Sequence, residues 1–446
     1  MLVRKLNSLW TQIRKRSLVW DTVTTTGWST LGKAVGFLIP IFIAAWFGIT
    51  SETDAFFFAY GLILFLSGIF APVVESIIVP YIAEARTKAE DVGRFVGRVL
   101  GISGVGLLVL TGIALLVIKP ILSIVTRFDL KNLNLVYHLL IEAAPLIILL
   151  VWTSILAGTL NAYKRFAIPA ISPAIRAVVN LSIIFIFKDT FGVHAIVLGY
   201  VVGEIVRLAI LAGIIKRLNI FKICLSLQFD PKIQEFLKTA SYQTIGMVAV
   251  GLNPIVDKTM ASWLGKGDVS VLYYADRLYM IPITFMTTGL MVVLLSHWSN
   301  SYYESGRQKL KKDVRKAVKL VGLITLPIML LLILFHQPIV KVAFGRGAFA
   351  QERLSEVGLV WVCYLLGFMP KIMGLIFVRA YLVLKNTKTL LYLAITSCIF
   401  NILLNYVLMQ RYEVRGIALS TSITSLIISS SLAITLKGKI RNAERI

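Results

Sequence analysis

About a dozen apolar stretches, each long enough to cross a bilayer, succeed one another between Trp28 and Leu436. A water-soluble fold of this length needs a polar shell, yet 15% of the 446 residues are charged and 57% are hydrophobic. The apolar runs must face lipid or each other. The chain is expected to be an all-α polytopic membrane protein of about twelve transmembrane helices. Expected spans run near 27–48, 54–82, 93–118, 135–158, 166–188, 193–215, 236–264, 270–298, 316–336, 355–383, 389–409 and 415–436.

The placement of basic residues orients these spans. Alternate connections, from Arg4–Arg16 through Arg86–Arg98, Lys164–Arg165, Lys216–Lys238 and Arg307–Lys319 to the Lys437–Arg445 tail, collect about 29 Lys and Arg, against about 10 on the other side. By the positive-inside rule both termini face the cytoplasm, and an odd number of spans would spoil the asymmetry. The formal charge of +24 is thus topology charge facing anionic lipid. A nucleic-acid partner is not expected, because no basic soluble domain is present to carry one.

Cys224, Cys363 and Cys398 lie far apart, with neither a disulfide framework nor a metal-ligand spacing. No cleavable signal peptide is apparent. Residues 1–26 form a basic segment in which Leu2, Leu6, Leu9, Trp10 and Ile13 share one helical face, a pattern suited to a helix lying in the cytoplasmic interface. An unstructured basic leader is the alternative.

The chain repeats itself. Ala44-Ala45-Trp46-Phe47-Gly48 is answered by Ala261-Ser262-Trp263-Leu264-Gly265, and Val193–Leu198 by Val414–Leu419. At that second offset Lys164 meets Lys385 and Asn180 meets Asn401. Two pseudo-symmetric six-helix bundles around a central cavity follow, at 27–215 and 239–436, joined by a cytoplasmic linker at 216–238 and ended by a tail at 437–446. Within the linker Phe221, Ile223, Leu225, Leu227 and Phe229 alternate with polar residues, which reads as extended chain. Gly93, Gly97 and Gly101, and Gly199 and Gly203, have spacings that permit close packing.

Ionisable groups inside apolar spans are costly, so each needs a reason. Lys33, Asp54, Glu75, Arg176, Glu204 and Arg207 stand in the first half. Asp257, Lys258, Asp276, Arg277, Lys371 and Arg379 stand in the second. Glu204 and Arg207 share one helical face, and Asp257-Lys258 and Asp276-Arg277 are adjacent opposites, so Asp257, Lys258, Glu204 and Arg207 are candidates for ion pairs or a cation site. Lys371 and Asp54 read as satisfied structural charges. Lys33, Arg277 and Arg379 are expected to face a water-filled cavity, where a basic lining suits a phosphate-bearing substrate. No GxSxG, HExxH or Gly-rich phosphate loop is present, and the four histidines are scattered, so no enzyme and no cofactor are expected.

Several stretches carry a family resemblance. Gly36-Phe37, Gly48 and Thr53-Asp54-Ala55-Phe56-Phe57, then Val256-Asp257 and Leu272-Tyr273-Tyr274-Ala275-Asp276-Arg277-Leu278, resemble the MurJ/MviN lipid II flippases. Phe344-Gly345-Arg346-Gly347-Ala348-Phe349 and Arg379-Ala380-Tyr381 extend the resemblance through the chain. It implies alternating-access transport of a polyprenyl-diphosphate-linked glycan precursor, lipid II first, for peptidoglycan synthesis. Lys33, Asp54, Asp276, Arg277 and Arg379 are then the cavity residues. Membrane lipids and the cell-envelope synthesis machinery are the implied partners, and coupling to the membrane potential or to Na⁺ or H⁺ is open. Two cavity arginines of the family fall on Ile39 and near Ser67, and the family often has fourteen spans. A flippase for another lipid-linked polysaccharide, or a drug antiporter of the related MATE type, therefore stays as the alternative. For the antiporter, a cation site lined by net acid is expected, and the candidate cavity is basic.

Overall fold

The computed structural model describes residues 27–442 apart from 29, 89, 218–225, 288–289, 350 and 385. The amphipathic N-terminal segment, the alternating residues Phe221 to Leu225 with Cys224, and Lys385 lie outside the described residues.

The helices are α1 (Thr30–Phe47), α2 (Ser51–Thr87), α3 (Val92–Val125), α4 (Leu130–Ala143), α5 (Pro145–Ala162), α6 (Ala167–Phe191) and α7 (His194–Arg217). They continue as α8 (Pro231–Gly251), α9 (Asn253–Ala261), α10 (Asp268–Thr287), α11 (Leu290–Leu334), α12 (His336–Phe344), α13 (Gln351–Leu365), α14 (Phe368–Val383) and α15 (Thr387–Asn442). Among the described residues all regular structure is helical, and the chain is an all-α multi-pass membrane protein. Among the described residues eight helical stretches, one of them α4 and α5 together, are long and apolar enough to cross a bilayer, and the bent pair α13 and α14 makes a ninth.

Several of the expected spans are broken or merged in the structure. The span expected at 135–158 breaks at Ala144, where Pro145 opens α5 without an N–H to continue the ladder. The span expected at 236–264 breaks at Leu252, with Pro254 in the first turn of α9. α13 and α14 meet at 40°. α11 is interrupted at Gly306, and α15 contains two crossings, not one. Asn401 Nδ2 donates to Ser420 Oγ at 3.5 Å across 19 residues, which a straight helix would hold about 28 Å apart. The chain doubles back at Glu413.

The repeat is visible in helix boundaries as well as in letters. Leu130 and Gln351, which open α4 and α13, are 221 residues apart, as are Ala162 and Val383, which close α5 and α14. Gly192 turns α6 into α7 at φ 54°, ψ −135°, and Glu413, again 221 residues later, makes the same turn at φ 51°, ψ −135°. Two sequences with different side chains thus make one backbone path twice.

Contacts gather the chain into two compact units. The first joins 1–39, 66–116 and 140–244, and the second joins 40–65, 117–139 and 245–446. This grouping follows contact density. The expected division into halves follows chain repetition, which contact density does not address. In the first unit α6 and α7 form a tight hairpin. A Cβ on Gly199 would lie 2.6 Å from Asn180 Oδ1, and one on Gly203 would lie 2.9 Å from the Arg176 carbonyl, so the small residues permit the close approach expected of them. The Gly97–Gly101 face of α3 seats chain of another kind. Ser226 N–H donates to Gly97 O at 3.4 Å, and Arg98 holds Gln228 at 2.7 Å and also Asp230. The described part of the linker is pinned across the end of α3, with Leu227 and Phe229 exposed.

Candidate functional site

The buried start of α2 sets the first part of the site. Thr50 and Thr53 cap each other's backbone, with Thr50 N–H to Thr53 Oγ1 at 2.9 Å and Thr53 N–H to Thr50 Oγ1 at 3.1 Å. This leaves the Asp54 carboxylate, 2% exposed, to reach the start of α10. It accepts from Gly267 N–H at 2.5 Å, Ser270 N–H at 2.8 Å and Ser270 Oγ at 2.6 Å. The first N–H groups of a helix have no partner within it, and a carboxylate there is favoured by both hydrogen bonding and the helix dipole. Asp54 is therefore the N-terminal cap of a helix more than 200 residues away in sequence.

This contact lies on a local twofold. Thr53 Oγ1 and Ser270 Oγ meet at 2.9 Å and are 217 residues apart, the offset that relates the starts of α2 and α10. The same offset relates Phe57 and Tyr274, whose rings meet edge-on at 5.1 Å. Repeat-related residues touch each other only near the axis that relates them.

The Gly345–Phe349 motif closes over this junction. Ala348 N–H donates to Ala45 O at 2.8 Å. Gly347, at φ 65°, passes so close that a Cβ would lie 2.0 Å from the Ala45 carbonyl, so no other residue fits. Phe344, Phe349 and Tyr274 pack as one ring cluster beneath it.

The basic residues come next along the same unit. The Arg277 guanidinium stands over the Tyr273 ring at 4.8 Å. Lys258 Nζ donates to Phe57 O at 3.1 Å and approaches the same ring at 5.4 Å. Neither adjacent-opposite pair proposed from sequence forms an ion pair among the described residues. Neighbours on a helix point about 100° apart, and each takes its own partner. Asp257 accepts from Asn405 Nδ2 at 2.7 Å and from Thr421 Oγ1 at 3.2 Å, in a cluster completed by Asn401 and Ser420. Asp276 instead lines a cavity of 430 Å³ bounded by α9, α10, α14 and α15. Lys371, read from sequence as a structural charge, lines it too.

In the first unit the pair Glu204–Arg207 forms as expected and is larger than expected. Glu204 is fully buried and accepts from Arg207 Nη1 at 2.9 Å, Arg176 Nη1 at 3.1 Å and Thr153 Oγ1 at 2.6 Å. Arg207 Nε donates to Ser172 Oγ at 3.0 Å. Losing the carboxylate of such a triad costs about 3–5 kcal/mol, because two buried guanidinium groups would lose their counter-charge.

Of the cavity residues named from sequence, Asp54, Asp276, Arg277 and Arg379 fall in the second unit and Lys33 in the first. Lys33 is exposed on α1, and Arg379 is half-buried on α14. Sequence reasoning missed Ser270, Asn405 and Thr421. The signal for Asn405 was present, since Asn401 and Asn405 stand one turn apart in an otherwise apolar helix.

Comparison with known proteins follows the same lines. The model of a family described as "Lipid II flippase MurJ" matches residues 43–442. A "Probable lipid II flippase MurJ" of Buchnera aphidicola is 26% identical over 422 residues, covering 92% of this chain and 82% of the relative. A "Lipid II flippase MurJ" of Thermosipho africanus is 27% identical over 419 residues, covering 92% and 84%. A solved structure, "Lipid II flippase MurJ, inward closed conformation", superposes with a TM-score of 0.79 at 24% identity, over 94% of this chain and 87% of that one. An inward-facing multidrug resistance MATE family transporter of the MOP superfamily gives a TM-score of 0.77 at 14% identity, over 94% and 96%.

Proposed function

The chain belongs to the lipid II flippase MurJ family, and from that premise we propose that it carries lipid II from the cytoplasmic to the outer leaflet by alternating access. The observation that carries this reading is the family match over residues 43–442, joined to a site built on the same motifs. Arg277 and Arg379, both in the second unit, supply cations for the diphosphate. Arg277 has the leading part, because guanidinium gives two parallel hydrogen bonds to a phosphate. Asp54 and the Gly345–Phe349 turn serve as a closure. Its polar part is the set of hydrogen bonds from Gly267 and Ser270 to Asp54 and from Ala348 to Ala45, the contacts we assign to being made and broken in each cycle.

The work is transport and not catalysis, with both termini in the cytoplasm. An inside-negative potential favours outward movement of an anionic head group by about 2.3 kcal/mol per charge per 100 mV. Asp257, whose carboxylate accepts from Asn405 Nδ2 and Thr421 Oγ1 inside the apolar fold, is the residue we assign to coupling with Na⁺ or H⁺. The cell-envelope synthesis machinery is the partner that receives the cargo. The test is complementation: this chain should restore growth of a conditional lipid II flippase mutant and should not restore an O-antigen flippase mutant grown in parallel. The opposite pattern would move the cargo to another lipid-linked glycan.

A further inference from the structure

The internal repeat brings two dissimilar sites into register. Thr153, Ser172, Arg176, Glu204 and Arg207 make the buried ionic cluster of the first unit. Their counterparts 221 residues later are Gly374, Leu393, Ser397, Ser425 and Ile428. All five line the 430 Å³ cavity of the second unit. Where one half of the chain fills this position with two guanidinium groups and a carboxylate, the other half has shortened the same side chains and left open space. The cavity is open on one side, with Lys371 exposed to it, so a ligand can enter the space that the other half fills with its own side chains.

The charges facing it say what kind. Asp257 is engaged by Asn405 and Thr421, and Lys258 by the Phe57 carbonyl. Asp276 and Lys371 also line the cavity and lie within each other's electrostatic reach. Among the described residues, neither side chain makes a hydrogen bond or an ion pair with the protein. Asp276 and Lys371 thus face the cavity with hydrogen-bonding capacity that the described residues leave unused, Lys371 being exposed to it and Asp276 half-buried, and a ligand carrying both signs of charge would answer both. Leu375, Val378, Leu390 and Leu432 supply an aliphatic wall beside them.

We propose that this cavity binds a zwitterionic amphiphile of the ammonium–phosphate class, its ammonium on Asp276, its phosphate on Lys371 and an alkyl chain along the aliphatic wall. The ligand takes the place that Arg176, Glu204 and Arg207 fill in the other half of the repeat. The inference stands on the cavity and the repeat; Asp276 is also among the cavity residues that the family resemblance implies, so lipid binding is read directly and not through flipping.

Native mass spectrometry of the purified full-length chain tests it. The probes are phosphatidylethanolamine, phosphatidylglycerol, which has the phosphate without the ammonium, and soluble phosphoethanolamine. The expected result is a one-to-one phosphatidylethanolamine adduct, with phosphatidylglycerol about tenfold weaker for want of one charge-assisted contact. Asp276→Asn should remove that preference, and Lys371→Met should weaken both lipids. Ser397→Arg with Ser425→Glu, which rebuilds the first unit's charges in the cavity, should abolish the adduct. If that double variant fails to fold, the two single variants still decide. Binding of soluble phosphoethanolamine as tight as the lipid would keep the site and make the ligand a soluble zwitterion. Equal retention of both lipids, unchanged by Asp276→Asn and Lys371→Met, would overturn the proposal.

Discussion

Three buried carboxylates show how this chain carries acid inside an apolar fold. Asp54 gives its charge to the free N–H groups of α10, Asp257 to side-chain amide and hydroxyl donors, and Glu204 to two guanidinium groups. Each solution leaves the charge satisfied without lipid contact. Arg277 adds a contact of another kind, its guanidinium standing 4.8 Å over the face of Tyr273, which attracts a cation. Replacing Arg277 with Ala is expected to abolish flipping with insertion intact, and Arg277→Lys to rescue only partly, since an ammonium lacks the planar pair of donors. A merely structural ion pair predicts that Asp276→Ala combined with Arg277→Ala restores function. Since Asp276 faces the cavity and makes no ion pair among the described residues, that double variant should stay inactive in a flipping assay.

At the scale of elements, the turn at Glu413 offers the cleanest test of the repeat. Its dihedrals belong to a region almost reserved for glycine, and Gly192 occupies the equivalent turn. Glu413→Gly should therefore stabilise the protein by about 1 kcal/mol and raise its thermal midpoint, while Gly192→Ala should destabilise it by at least as much. Thermal unfolding in detergent reads both. The helices themselves were legible because apolar runs of about 20 residues have few alternatives in lipid. Breaks such as the one before Asn253 were not, since a proline inside an apolar run is compatible with a continuous, kinked helix as well as with two short ones. The ionic pair at Glu204 was legible because its members stand three residues apart. The caps and clusters around Asp54 and Asp257 join residues more than 140 positions apart, and no local pattern announces them.

For the whole molecule, the chain is a multi-pass membrane protein of the lipid II flippase MurJ family, and its charge asymmetry gives the expectation that the basic loops and both termini face the cytoplasm. Orientation is checked by labelling single cysteines, in a background lacking the native three, with a membrane-impermeant maleimide. A probe at Lys266, whose side chain is 79% exposed, should react from outside, and one at the exposed Lys312 should not. The reverse pattern would invert the direction of transport. The account rests finally on cargo, and the most direct measurement is the amount of lipid II in the outer leaflet, read with a membrane-impermeant reagent in cells depleted of their own flippase. Expression of this chain should restore outer-leaflet lipid II, and the Arg277→Ala variant should leave it in the cytoplasmic leaflet at equal protein level. Outer-leaflet lipid II that stays absent with the intact chain correctly inserted would contradict the account.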